Sequence, residues 1–253
     1  MSSRFITEVL SSDPALFLYG NSNYGGNAPR DIAVNAHTVT TENTAPSLGV
    51  ETGIAPHPLT YWTFNGSTQE WRVADAASLE IGNDAWSVMA VFRASSAGSG
   101  TQQIFSKRKG TTPHNFHMAF LHGSNKVQFR GSAGGNTQAT NALNEDQWYI
   151  VHAAITGTTT CTTYVDGDLD TSGTIDSADI ANATDVHIGA REDDSNSCTQ
   201  FFQGDIGPVA VWNSTLSSSQ VMSQAKAFYG FDRMRPSIRH RRYGRRLATG
   251  GLV

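Results

Sequence analysis

Apolar and polar residues alternate in short runs spaced roughly ten residues apart, at 59–64, 86–93, 103–107, 116–121, 126–130, 148–156, 161–165, 186–189 and 209–212. In 86–92, Trp86, Val88, Ala90 and Phe92 fall on one side of an extended chain and Ser87, Met89 and Val91 on the other. That period of two marks a half-buried strand. Turn-forming clusters separate the runs, among them Asn65-Gly66-Ser67, Ala97-Gly98-Ser99-Gly100, His122-Gly123-Ser124-Asn125 and Asp166-Gly167. Many short strands with such turns predict an all-β antiparallel sandwich or barrel.

One segment breaks the pattern. Ser217-Ser218-Ser219-Gln220 has the form of a capping box, in which the first hydroxyl accepts from an orphan backbone N–H and the glutamine reaches back. Val221, Met222, Ala225 and Phe228 then recur near helical spacing, and Gly230 stops the helix. Its apolar stripe is expected to lie against the sandwich. Residues 20–57 read as a long loop, yet 15–19 looks like a strand needing a partner beyond it, so 1–231 is taken as one domain.

Composition supports this picture. Of 253 residues only 16% are charged, while aromatics reach 9%, enough to fill a core and too many for a disordered chain. No apolar run approaches the ~20 residues of a membrane span. Glu8 interrupts the opening residues early, so they predict no signal peptide. The net charge of −4 conceals an uneven distribution. Residues 232–253 hold seven arginines against one acid, Asp232, leaving 11 basic and 21 acidic residues elsewhere. Cys161 and Cys198 are too few for a disulfide scaffold. They either pair or remain thiols, and with no signal peptide two buried thiols are expected.

Ordered landmarks carry a family resemblance. Asp13-Pro14-Ala15-Leu16-Phe17-Leu18-Tyr19, Phe64-Asn65-Gly66-Ser67, Ala77-Ser78-Leu79-Glu80-Ile81, Gln147-Trp148-Tyr149, Tyr164-Val165-Asp166-Gly167, His187-Ile188-Gly189-Ala190 and Phe202-Gln203-Gly204-Asp205-Ile206 through Trp212-Asn213 follow one another at family spacing. Over about 13–228 the chain resembles the laminin-G-like, concanavalin-A-like jelly rolls, in the variant common in phage and bacterial surface proteins. The resemblance implies a two-sheet jelly-roll sandwich, here with one short C-terminal helix and an extended basic tail, used for carbohydrate or protein binding rather than catalysis. Relatives that hold a structural calcium tend to use acids at the first and last landmarks, positions that read Asn65 and Gly207 here.

Residues 168–179 also match a calcium-loop pattern, with Asp168, Asp170, Ser172, Asp176 and Asp179 as oxygen ligands and Gly173 at the sharp turn. A strand rather than a helix precedes them, so the expectation is a strand with a polar connection, no required cofactor, and calcium as the minority alternative. His114, His117 and His122 read as exposed strand-end residues. No nucleophile elbow, E-x-D-x-x-E glucanase string or phosphate loop occurs. The sequence therefore predicts no enzyme. Tyr24, Tyr61, Trp62 and Trp71 are candidates to stack on a sugar, with core packing the default.

The arginine tail supplies the candidate partner-binding residues: Arg233, Arg235, Arg239, Arg241, Arg242, Arg245 and Arg246. Their planar forks suit carboxylates and phosphates. The acidic body of another copy or another virion protein is the expected partner. Nucleic acid is disfavoured, because the body offers no matching basic face. Together these readings predict a non-enzymatic virion structural protein, assembled in a host cytoplasm, with the jelly roll displayed and the tail as anchor. The alternative is a lectin module binding host glycans.

Overall fold

The computed structural model describes residues 4–20, 28–41, 43–54, 58–81, 85–108, 116–131, 137–157, 159–175 and 181–230. In chain order the strands are β1 (Leu16–Tyr19), β2 (Arg30–Asp31), β3 (Val39–Thr40), β4 (Ser47–Glu51), β5 (Leu59–Asn65), β6 (Trp71–Val73), β7 (Trp86–Ala94), β8 (Thr101–Lys107), β9 (Phe116–Leu121), β10 (Lys126–Arg130), β11 (Thr137–Ala139), β12 (Tyr149–Thr156), β13 (Thr160–Val165), β14 (Asp168–Thr174), β15 (Val186–Ile188), β16 (Arg191–Glu192), β17 (Cys198–Thr199) and β18 (Gln203–Trp212). Helices α1 (Arg4–Leu10) and α2 (Ser218–Tyr229) flank them.

Nine strands form one antiparallel sheet in the order β14-β13-β12-β7-β18-β1-β2, with β5 and β4 joined at β18. Seven form the other, β11-β10-β9-β8-β15-β6-β3, and β16–β17 is a separate hairpin. Side chains from both sheets meet in one core that includes Trp62, Phe64, Trp86, Phe92, Phe105, Phe116 and Phe120. Trp86 and Phe116 pack edge-to-face with centroids 4.4 Å apart. Each such buried aromatic contributes about 1.5–3 kcal/mol through removal of apolar area from water.

A second core lies on the opposite face of the nine-stranded sheet. There Met89, Val91, Ile150 and Trp212 pack with Phe5 and Val9 of α1 and Val221, Ala225 and Phe228 of α2. This corrects the half-buried reading of β7: both of its faces are covered, because two helices lie on the side expected to meet solvent. The capping box of α2 is present, with Ser217 accepting from the Gln220 backbone and the Gln220 side chain returning to Ser217 N. Helix α1 was not legible. Seven residues make a marginal helix alone, and its Phe5–Phe228 contact at 5.3 Å supplies what local propensity does not.

Strand β18 runs from Gln203 through Gly207-Pro208 to Trp212, and its register with β7 shifts between Ile206 and Val209. The shift accommodates a proline that cannot donate to the ladder, so the strand read at 209–212 extends back to Gln203. The stretch 20–57 is likewise not all loop, since β2, β3 and β4 attach it to the sheets. Cys161 is buried in the core and Cys198 half-buried on β17, both as free thiols.

Candidate functional site

At one end of the nine-stranded sheet the helices leave the outer face uncovered. Ladder pairing there sets Ser47, Thr63, Asp205 and Arg93 in a row across β4, β5, β18 and β7. Gly204, at φ +139°, lets β18 pass tightly over β7; a Cβ there would lie 2.3 Å from Arg93 O. That approach places Asp205 directly opposite Arg93. Asp205 Oδ2 accepts from Arg93 Nε and Nη2 at 2.9 and 2.7 Å, and Oδ1 accepts from Thr63 Oγ1 at 2.7 Å.

The guanidinium is held on every side. Its Nη1 lies 3.1 Å from Glu51 Oε2, the same oxygen that accepts from Trp148 Nε1 at 3.0 Å. Its carbon sits 4.9 Å from the Trp148 ring centroid and 5.9 Å from that of Tyr61. Burial works to lower the Arg93 pKa, but the Asp205 hydrogen bond and the charges of Asp205 and Glu51 outweigh it and leave it raised. The Tyr61 phenol is raised by burial and by those same acids.

Beside this row opens a solvent-facing groove of about 340 Å³, lined by Thr63, Arg93, Ser95, Asp146, Gln203 and Asp205 among others. Asp146 has a left-handed backbone, φ 57°, and accepts from Ser96 N at 3.1 Å. The Ser96 hydrogen bonds hold its carboxyl below the usual range. The arrangement is a fixed cation between two rings, bordered by amide, hydroxyl and carboxylate groups. Such a surface can bind polyols by hydrogen bonding and by ring contact.

The sequence candidates fall elsewhere for the most part. Trp62 and Trp71 are core, and Tyr61 lies against Arg93, a residue that lines the groove. Tyr24, His114, Asp176, Asp179 and all seven tail arginines lie outside the described residues. Asp168, Asp170 and Ser172 belong to the extended strand β14 rather than a wound loop. Asp170 accepts from Asn141, while Ser172 bonds Thr162 at 3.1 Å, so the described members have separate partners. Asn65 caps its own turn, its Oδ1 accepting from Ser67 N and Thr68 N. Among the described residues no group of three or more His, Cys, Asp or Glu side chains is placed to hold a metal.

The histidine expectation is corrected. His117 is buried on β9, and His122, half-buried in the turn after it, is held by Glu145 at Nδ1 and Gln102 at Nε2. Cys198 Sγ lies 3.7 Å from His187 Nδ1, the spacing of a nucleophile and its base. Burial, with Glu70 and Glu192, pushes the thiol up to about 12, and burial brings His187 down to about 4. The pair is therefore neutral thiol and neutral imidazole, the unreactive combination.

The model of the concanavalin A-like lectin/glucanases superfamily matches residues 65–222, more than half of the sequence. The chain belongs to this superfamily. Solved structures with the same fold include the binding domain of botulinum neurotoxin serotype C1, with TM-score 0.62, 12% identity, and 85% of this chain aligned to 52% of that one. The binding domain of Paraclostridial Mosquitocidal Protein 1 gives 0.63 and 10%, covering 86% and 53%. A structure of botulinum neurotoxin type C, which depends on interaction with two ganglioside molecules to enter cells, gives 0.63 and 11%, covering 86% and 52%. The chain spans about half the length of these proteins. No curated protein matches the sequence.

Within this superfamily member, the groove-lining Thr63, Arg93 and Asp205, and the Glu51 and Trp148 that hold Arg93, escaped the sequence reading because they are scattered over 155 positions and meet only in the folded sheet. One signal was present. Gly204 and Asp205 stand in a family landmark, and an acid beside that glycine on a sheet strand needs a cation partner.

Proposed function

We propose that this domain is a non-enzymatic, lectin-like carbohydrate-binding module whose ligand occupies the groove beside the Arg93–Asp205 row. The observation that carries the reading is a solvent-open depression lined by Arg93, Gln203, Thr63 and Asp146, with the half-buried Tyr61 ring 5.9 Å from the Arg93 guanidinium that borders it. A ring edge and convergent hydrogen-bonding groups suit the apolar face and hydroxyls of a pyranose. The ganglioside dependence of botulinum neurotoxin type C, a protein of the same fold, supports a glycan as the ligand class. The neutral Cys198–His187 pair and the absence of a paired-carboxylate string favour binding over catalysis.

A glycan array with the wild-type protein and Tyr61→Ala tests this reading. It expects selective retention that Tyr61→Ala weakens about three- to tenfold, the scale of one aromatic contact. Uniform absence of binding refutes it.

The virion role remains a second reading. It is motivated by the arginines at 233–246, and the folded body does not bear on it. Sedimentation of the full chain against a version ending at residue 231 decides it: salt-sensitive assembly of the full chain alone supports a tail anchor, and identical monomers refute one.

A further inference from the structure

The charges around the groove do not cancel. Arg93 is the one basic residue among the described residues that line it, and its cation is already shared. Asp205 takes its Nε and Nη2, and Glu51 takes its Nη1. Both oxygens of Asp205 are occupied, Oδ2 by Arg93 and Oδ1 by Thr63. Asp146 adds a third carboxylate, exposed on the groove lining. It forms no ion pair within 4.0 Å among the described residues, and Arg93 acts on it only at longer range. Its neighbour Glu145 pairs with His122 at 2.8 Å, so that ring is turned to the other carboxylate. One guanidinium thus stands against three carboxylates.

Asp146 is also fixed in place. Its backbone N donates to Ala94 O at 2.7 Å, and its φ of 57° lies in the left-handed region, which aspartate tolerates better than most residues. Ser96 N donates to Oδ1 at 3.1 Å, and the Ser96 hydrogen bonds favour the ionised carboxyl. A carboxylate offers about four acceptor sites, so capacity remains for a ligand donor. Because the group is already held, taking a ligand cation orders less of the protein than a free side chain would require. An acidic ligand group meets the opposite situation: it must compete with Asp205 and Glu51 for one guanidinium while facing Asp146.

We propose that the groove selects its glycan by charge: it takes a hexosamine with a protonated free amine, Asp146 serving as the counter-ion, and disfavours sugars that carry a carboxylate. The inference rests on the carbohydrate-binding reading of the groove and names the ligand class within it. Thr63 and Gln203 remain as hydroxyl and amide groups for the uncharged part of the sugar.

Titration of the full chain with the free-amine, N-acetyl, neutral and uronic forms of glucose and of galactose, as methyl glycosides at about pH 6.5 where the amine is charged, tests this. In at least one of the two series the amine form should bind about two- to fivefold tighter than the neutral form, and the uronic form weakest. Raising the salt to about 0.5 M should erase the preference in the wild-type protein. Asp146→Asn should bring amine and neutral forms to parity while leaving the neutral sugar's affinity within about twofold. Asparagine accepts the same left-handed backbone, so the variant keeps the turn. Tyr61→Ala should weaken every form alike. Equal binding of amine and neutral forms, tighter binding of the uronic form, or a preference that survives in Asp146→Asn overturns the inference. Neutral sugars bound in a Tyr61-dependent way without any charge preference refute it and leave the groove reading standing. No binding of any form, together with a blank glycan array, refutes both; no binding of any form with Tyr61-dependent retention on the array refutes the inference alone.

Discussion

Asp205 and Arg93 are direct ladder partners across β18 and β7, and their side chains turn to the same outer face to form a two-point contact of 2.9 and 2.7 Å. Register and chemistry thus coincide. The same pairing that builds the sheet fixes the cation between Tyr61 and Trp148. Asp205→Ala removes the acceptor for two guanidinium donors and for Thr63 Oγ1 at a mostly buried position, and should lower stability by about 2 kcal/mol. Thermal denaturation should register this as a fall of several degrees. An unchanged midpoint would mean that the contact contributes nothing.

Acid should destabilise the fold from pH 6.5 downward. Burial lowers His117 to about 3 and His152 to about 4, the latter opposed by its Gln224 hydrogen bond, and His187 also to about 4. Each folded-state value lies below the ordinary 6.5, so the unfolded chain binds protons first as pH falls. Stability is therefore level above pH 6.5 and is lost between there and about pH 4, by up to about 1.4 kcal/mol per pH unit for each histidine. Melting temperatures recorded from pH 8 to pH 5 should show a plateau and then a steep decline, made shallower by His152→Gln. A flat profile contradicts the burial of neutral histidines.

Both cysteines should be slow to react in the native state. Burial pushes Cys161 up to about 12, and Cys198 is held near the same value. Thiol titration should find two groups per chain after unfolding and slow modification before it. A native mass two units low, signalling a disulfide, contradicts this.

The C-terminal helix offers a local test. Ser217→Ala removes the side-chain acceptor for Gln220 N and should cost about 1 kcal/mol. Urea denaturation measures it, and Ser217→Asp should restore the loss.

The contrast between α2 and α1 shows what was legible in the sequence. The capping box of Ser217 and Gln220 is local chemistry, readable from four adjacent residues. Helix α1 exists because Phe5 finds Phe228 more than two hundred residues away. Strands such as 116–121 and 126–130 were readable to the residue from alternation and turns, whereas Pro208 concealed the middle of β18 until its register shift was seen. The candidate sites were least legible. Tyr61 was singled out only as one aromatic among four, and Arg93 looked like an isolated charge until register placed it opposite Asp205.

Glycan binding by wild-type protein and by Tyr61→Ala and Asp146→Ala is the most direct test of the central claim, measured by titration with the best array ligand. The groove account predicts saturable binding, weakened several-fold by each change at a temperature where both variants remain folded. Binding that persists unaltered in both variants, or no binding by the wild-type protein, contradicts it.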